Sequence, residues 1–213
     1  GFGCFHSGEF PDVLKFSALV KKKFNGMPIV VGGMHPTIFS YEILSNCPSI
    51  DWIVLGEGEE SIIQLVNTIK YNKFDFGKID GLAFRKNGKV LVNHKTCFIE
   101  NLDNVPFPAY DLINLKDYYC DTSNWNNPKK LPINISIPII GSRSCPNLCT
   151  FCSMHMVMGH RWRPITAQNV VDELEYLYNR FKCRHFSFMD DNLTLNKTRT
   201  LEICAQISKR NLD

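Results

Sequence analysis

The first seventy residues alternate between short apolar runs and longer stretches with apolar positions three and four apart, the pattern of strands joined by crossover helices. Gly1 to Phe5 is predicted as a strand. A helix follows from Pro11, with Val13, Leu14, Leu19, Val20 and Phe24 as its apolar face and Asn25-Gly26 as its stop. Met27 to Val31 is a buried strand ending in Gly32-Gly33, and Asp51 to Leu55 is another, ending in Gly56-Glu57-Gly58-Glu59. A helix from Glu59 to Ile69 is expected to turn Ile62, Ile63, Leu65, Val66 and Ile69 inward. The pattern predicts an α/β domain over residues 1–75, part of a doubly wound parallel sheet of the flavodoxin or Rossmann kind. Ligands of such sheets bind beyond the carboxyl ends of the strands, where both glycine turns lie.

The period then changes. Residues 81–94 place Asn87-Gly88 between two strand-like runs, the signature of a hairpin closed by a type I′ turn. From Phe98 to Pro132 the chain is irregular, with Pro106, Pro108, Pro128 and Pro132. Phe107, Tyr110, Leu112, Ile113, Tyr118 and Tyr119 make it too apolar for a solvated tether, so residues 76–132 form a hairpin and an ordered linker.

Alternation resumes in residues 133–213. Ile133 to Ile140 is a buried strand that runs into a cysteine-rich loop. A helix spans Thr166 to Phe181, with Thr166 as cap and Val170, Leu174, Leu177 and Phe181 on one face. His185 to Met189 is a second strand, ending in Asp190-Asp191-Asn192. A second helix from Lys197 is expected to carry Leu201, Cys204 and Ile207 inward. Two βα units begin a TIM-like barrel and cannot close one, which takes eight. The chain also opens inside an apolar run, so it is expected to be a fragment of a longer protein at both ends.

Composition narrows the class. With 213 residues and a net charge of +3, the basic residues are dispersed, and the one run, Lys21-Lys22-Lys23, is the solvated end of a helix. Nothing calls for nucleic acid. No apolar stretch is long enough to span a bilayer, and no cleavable leader is recognisable. Nine cysteines, an odd number without framework spacing, point to a reducing compartment and so to the cytoplasm.

Cys145, Cys149 and Cys152 carry the chemistry. A four-iron cubane is ordinarily held by four thiolates, so three on one loop leave an iron open to a ligand that is not protein. The rival is a closed Cys3His zinc site with His155, although zinc ligands ordinarily come as two separated pairs. Of the other cysteines, Cys47, Cys97, Cys120, Cys183 and Cys204 have no ligand spacing and are core or incidental. Met154, Met156 and Met158 are packing residues, Arg161 and Arg163 surface residues, and Glu57 and Glu59 mark a turn and a helix start.

Ser142-Arg143-Ser144-Cys145-Pro146-Asn147-Leu148-Cys149-Thr150-Phe151-Cys152 resembles the cluster loop of radical S-adenosylmethionine (radical SAM) enzymes, with an aromatic residue before the last cysteine and a barrel strand before the loop. The resemblance implies that Cys145, Cys149 and Cys152 bind three irons of a [4Fe-4S] cluster. S-adenosylmethionine would chelate the fourth iron and yield a 5′-deoxyadenosyl radical, with electrons from an external flavodoxin or ferredoxin type donor. It places Phe151 near the adenine, and Asp190 and Asp191 near the methionine ammonium. The bland alternative for the two carboxylates is a helix cap. Ser144 stands where many relatives carry glycine.

The front section, V-V-G-G-M-H-P-T followed by D-W-I-V-L-G-E-G-E, together with L-D-N-V-P-F-P-A-Y-D-L, resembles cobalamin-binding domains fused to radical SAM barrels. By that resemblance Gly32, Gly33 and His35 line a cobalamin site. Gly3-Cys4-Phe5 stands where such domains carry a Ser-x-Leu element, and lacks its hydroxyl. The alternatives are a purely structural glycine turn and a hydrogen-bonded loop histidine. The implied function is methylation, or a related rearrangement, of an unactivated carbon in a small-molecule or natural-product substrate. A methylthiotransferase of the same superfamily and a non-enzymatic zinc module are the alternatives.

Overall fold

The computed structural model describes residues 1–72, 75–115 and 136–212. The chain divides into two compact units: residues 1–99 with 150–159, and residues 100–149 with 160–213. Tyr118, Tyr119, Cys120, Pro128, Pro132 and the start of the strand expected from Ile133 lie outside the described residues.

The first unit is a five-stranded sheet. Strands β1 (Phe2–Gly3), β2 (Val30–Gly32) and β3 (Trp52–Val54) are parallel, and β4 (Leu82–Lys86) and β5 (Lys89–Val92) add antiparallel in the order β1-β2-β3-β4-β5. Helices α1 (Phe10–Lys23), α2 (Met34–Ile38), α3 (Ser40–Asn46) and α4 (Glu59–Lys70) make the connections. Asn87 and Gly88 both take positive φ, +52° and +75°, as the expected type I′ turn requires. The hairpin is therefore the edge of the first sheet. Its Arg85 reaches back to accept-only groups at the end of α3, donating to Leu44 O at 2.6 Å and to Ile50 O.

Three helix faces differ from the periodicity. On α1, Val13 and Ser17 are buried while Leu19 and Phe24 are exposed. On α4, Ser61 and Leu65 are buried with Ile62 and Ile69 packed alongside, whereas Ile63 and Val66 face outward. On α7 (Lys197–Lys209) the inner stripe is Arg199 and Ile203, with Ile207 packed beside it, and Leu201 and Cys204 are exposed. Each inner stripe carries a hydrogen-bonded polar residue, and on α1 and α4 those bonds offset the cost of burying a serine hydroxyl. Ser17 Oγ donates to Leu14 O at 2.9 Å, and Ser61 Oγ donates to Asp80 O at 2.7 Å.

In the second unit, β6 (Ser136–Ile139) and β9 (His185–Phe188) form a parallel pair, and β7 (Ser142–Arg143) with β8 (Arg163–Pro164) an antiparallel one. Helix α6 (Ala167–Phe181) packs Leu174 and Leu177 onto β6 and Val170 and Val171 against α7. Thr166 caps α6 as expected, its side chain accepting from Asn169 N at 3.3 Å. The linker docks on the same helix. Tyr110 Oη donates to the buried Glu173 carboxylate at 2.7 Å, and Tyr176 Oη donates to Asp111 at 2.9 Å. Among the described residues no helix is long and apolar enough to cross a membrane.

Candidate functional site

At the carboxyl edge of the first sheet, the two glycines separate in role. Gly33 has φ +111° and ψ −176°, and a Cβ there would stand 2.3 Å from Cys4 O. It is glycine because β1 crowds it, and Cys4 N–H donates to Gly32 O at 2.9 Å across the same approach. Gly32 is different: a Cβ would meet nothing nearer than Val54 O at 3.5 Å, and at its register partner Gly3 nothing within 4 Å. Side by side, Gly3 and Gly32 leave bare backbone with room above it. That cradle fits a large flat ligand such as a corrin or its nucleotide tail.

His35 lies in α2 rather than in a loop. Its Nδ1 pairs with Ser7 Oγ at 2.9 Å, its ring packs between Phe10 and Phe39, and burial lowers its pKa. The second glycine turn also has a structural task within this unit. Gly56, at φ +60°, faces the backbone of the short helix α5 (Met154–Met158), where a Cβ would stand 2.8 Å from Val157 O. Glu57 is buried and accepts Ile99 N–H at 2.9 Å, so it does more than mark a turn.

The cysteine loop leaves β7. Cys145 and Cys152 are half-buried and Cys149 is exposed. Among the described residues no three His, Cys, Asp or Glu side chains form a preformed metal site, with or without His155. The donor set fits an iron–sulfur cluster by its chemistry: three thiols on one loop, with side-chain amides at the first sulfur. Asn147 Nδ2 and Asn192 Nδ2 approach Cys145 Sγ at 3.4 and 3.8 Å. Phe151 is 90% exposed, an aromatic face open to a ligand. Ser144, where the resembling loops carry glycine, takes φ +68° and is buried.

Asp190 and Asp191 do not cap α7; Asn196 does, accepting Arg199 N–H at 3.0 Å. Asp190 instead accepts Gly141 N–H at 2.9 Å and Ser142 Oγ–H at 2.5 Å. Asp191 accepts the Ser144 N–H; its pKa is raised by burial and by Asp190 against that bond. Arg163 is 3% exposed, not a surface residue as expected, while Arg161 is exposed and pairs with Glu100. Periodicity gave no signal for Arg199, which is buried and donates to Gly141 O at 2.5 Å and Ile165 O at 2.7 Å.

No family model matches the chain. Over 202 residues it is 32% identical to an uncharacterized methyltransferase of Pyrococcus horikoshii, covering 95% of this chain and 41% of that protein. Over 210 residues it is 30% identical to an anaerobic magnesium-protoporphyrin IX monomethyl ester cyclase of Synechocystis, covering 97% and 40%. The fold matches the cobalamin-dependent S-adenosylmethionine radical enzyme OxsB, solved with aqua-cobalamin and S-adenosylmethionine bound. The TM-score is 0.74 at 20% identity, over 98% of this chain and 28% of that one. The chain thus has the fold of a cobalamin-dependent radical enzyme and is similar over nearly its whole length to a methyltransferase and to an anaerobic cyclase. It spans about two-fifths of the length of the curated relatives it matches.

Proposed function

We propose that the chain is part of a radical S-adenosylmethionine enzyme that uses cobalamin to methylate, or otherwise rearrange, an unactivated carbon of a small-molecule substrate. The observation that carries this reading is the seating of the cysteine loop. Asp190, Asp191 and Asn192, directly after β9, engage Gly141 through Cys145, directly after β6, by side-chain hydrogen bonds. The loop thus stands at the carboxyl ends of a parallel strand pair, the edge on which barrel active sites are built.

Cys145, Cys149 and Cys152 would hold a [4Fe-4S] cluster as thiolates. When bound, that cluster supplies the electron that cleaves S-adenosylmethionine to the 5′-deoxyadenosyl radical, and cobalamin supplies a transferable methyl group. Phe151 offers its exposed ring to the adenine. Asp191, at the strand end, offers the second oxygen of its carboxylate to the methionine ammonium, while Asp190 is occupied in holding the Gly141 turn. Gly3 and Gly32 keep the sheet edge free of side chains for the corrinoid, with His35 fixed beside that edge. Electrons come from a donor of the flavodoxin or ferredoxin class, and the setting is cytoplasmic. Neither the methylthiotransferase reading nor the zinc module is favoured by the comparisons.

Anaerobic reconstitution with iron and sulfide tests the reading. The protein should turn brown and carry iron and sulfide in equal amounts, retain them in His155→Ala, and lose them in Cys149→Ala. A colourless, iron-free wild-type protein refutes the cluster. Hydroxocobalamin binding, followed by equilibrium dialysis, should be lost in a folded Gly32→Leu variant and kept in the wild type.

A further inference from the structure

Residues 139–145 and 188–192 run side by side beyond the paired strands. Ile139 and Phe188 are register partners, and Met189 N–H donates to Ile139 O at 2.8 Å. From there each side chain of the second segment meets a successive part of the first: Asp190 the Gly141 N–H and Ser142 hydroxyl, Asp191 the Ser144 N–H, and Asn192 the Cys145 sulfur. Arg199 holds the same turn from its carbonyl side at Gly141 O. The backbone that delivers Asn192 is therefore fixed against the backbone that delivers Cys145. Asn147 brings a second amide to that sulfur from within the loop. Among the described residues, side-chain amides reach one motif sulfur, that of Cys145.

An N–H donor stabilises negative charge on the sulfur it faces, and hydrogen bonds to cluster sulfurs are among the factors that set reduction potential. We propose that Asn147 and Asn192, the latter positioned by Asp190 and Asp191, raise the reduction potential of the iron–sulfur centre by donating to Cys145 Sγ. The inference rests on the cluster reading of the preceding section. The step concerned adds one electron to the centre from a low-potential donor of the ferredoxin or flavodoxin class, with no bond made or broken. A thiolate that gives up its amide donors carries the added charge less well, so their removal makes reduction harder.

The test is a redox titration of the reconstituted chain, followed by electron paramagnetic resonance, for wild type, Asn192→Leu, Asn147→Leu and the double variant. Iron and sulfide per chain should be unchanged. The midpoint should move to more negative potential in each single variant and furthest in the double variant. At a poise equal to the wild-type midpoint the double variant should show a reduced-to-oxidised ratio lowered several-fold, a tenfold fall being about 59 mV for one electron. Should leucine exclude iron, Asn192→Ala and Asn147→Ala give the same measurement without added bulk. A fully loaded double variant with the wild-type midpoint overturns the proposal. A wild type that takes up no iron overturns instead the reading beneath it.

Discussion

Replacing Gly33 with alanine separates a glycine the fold requires from one it merely permits. At φ +111° and ψ −176° the backbone occupies a region open essentially to glycine, which costs other residues about 1–3 kcal/mol. The added Cβ would also lie 2.3 Å from Cys4 O and 2.8 Å from Cys4 C, both backbone atoms that no rotamer change can move aside. Relief requires β1 to withdraw, which breaks the Cys4 N–H to Gly32 O bond, worth about 0.5–1.5 kcal/mol. The two terms give a loss of about 1.5–4.5 kcal/mol, a large part of the roughly 5–15 kcal/mol that holds a typical domain together. Gly32→Ala is the control, because its Cβ meets only Val54 O at 3.5 Å and should change stability by less than about 1 kcal/mol. Urea unfolding followed by circular dichroism measures both. A Gly33→Ala protein within about 1 kcal/mol of wild type, or a Gly32→Ala protein equally damaged, refutes the reasoning.

Four further outcomes follow from the same geometry. Ser144→Gly should stabilise the protein by about 1 kcal/mol by relieving the left-handed backbone at φ +68°, read as a rise in the urea midpoint. Gly56→Ala should lose about 1–3 kcal/mol and expose residues 153–159 to limited proteolysis, because its Cβ would collide with Val157 O. Burial raises the Glu173 pKa above 4.5, so its contribution is full below that value and is lost as the pH rises toward the folded-state pKa. Glu173→Gln should therefore gain stability over wild type as the pH climbs from 4.5 and show no such gain at lower pH, in urea melts taken from pH 4 to 8. In the same assay Tyr110→Phe, which leaves the carboxylate without its donor, should cost about 1–3 kcal/mol.

Element type was legible wherever one signal sufficed. Asn87-Gly88 named its own turn, Thr166 its own cap, and the runs at Val30–Gly32 and Trp52–Val54 could only be short buried strands. Faces were less legible, because periodicity counts apolar residues and burial follows contacts. Ser17, Ser61 and Arg199 sit on inner stripes since each finds a carbonyl partner there, which displaces Leu19, Val66 and Leu201 to the outside. The cysteine trio was visible from spacing alone. Its supports were visible only as a bare Asp-Asp-Asn run, since which carboxylate meets which amide depends on the β6–β9 register. Arg163 was misplaced, because a two-residue strand is too short for periodicity to show which side chain is buried.

The first unit is not a continuous piece of chain. Ten residues from 150 to 159, encoded well downstream of the rest, complete it, and Gly56 is shaped to receive their backbone. A gene truncated in the linker would thus yield a front module missing a part it cannot supply from its own sequence. A dissection that follows the linker alone therefore cuts through the first unit.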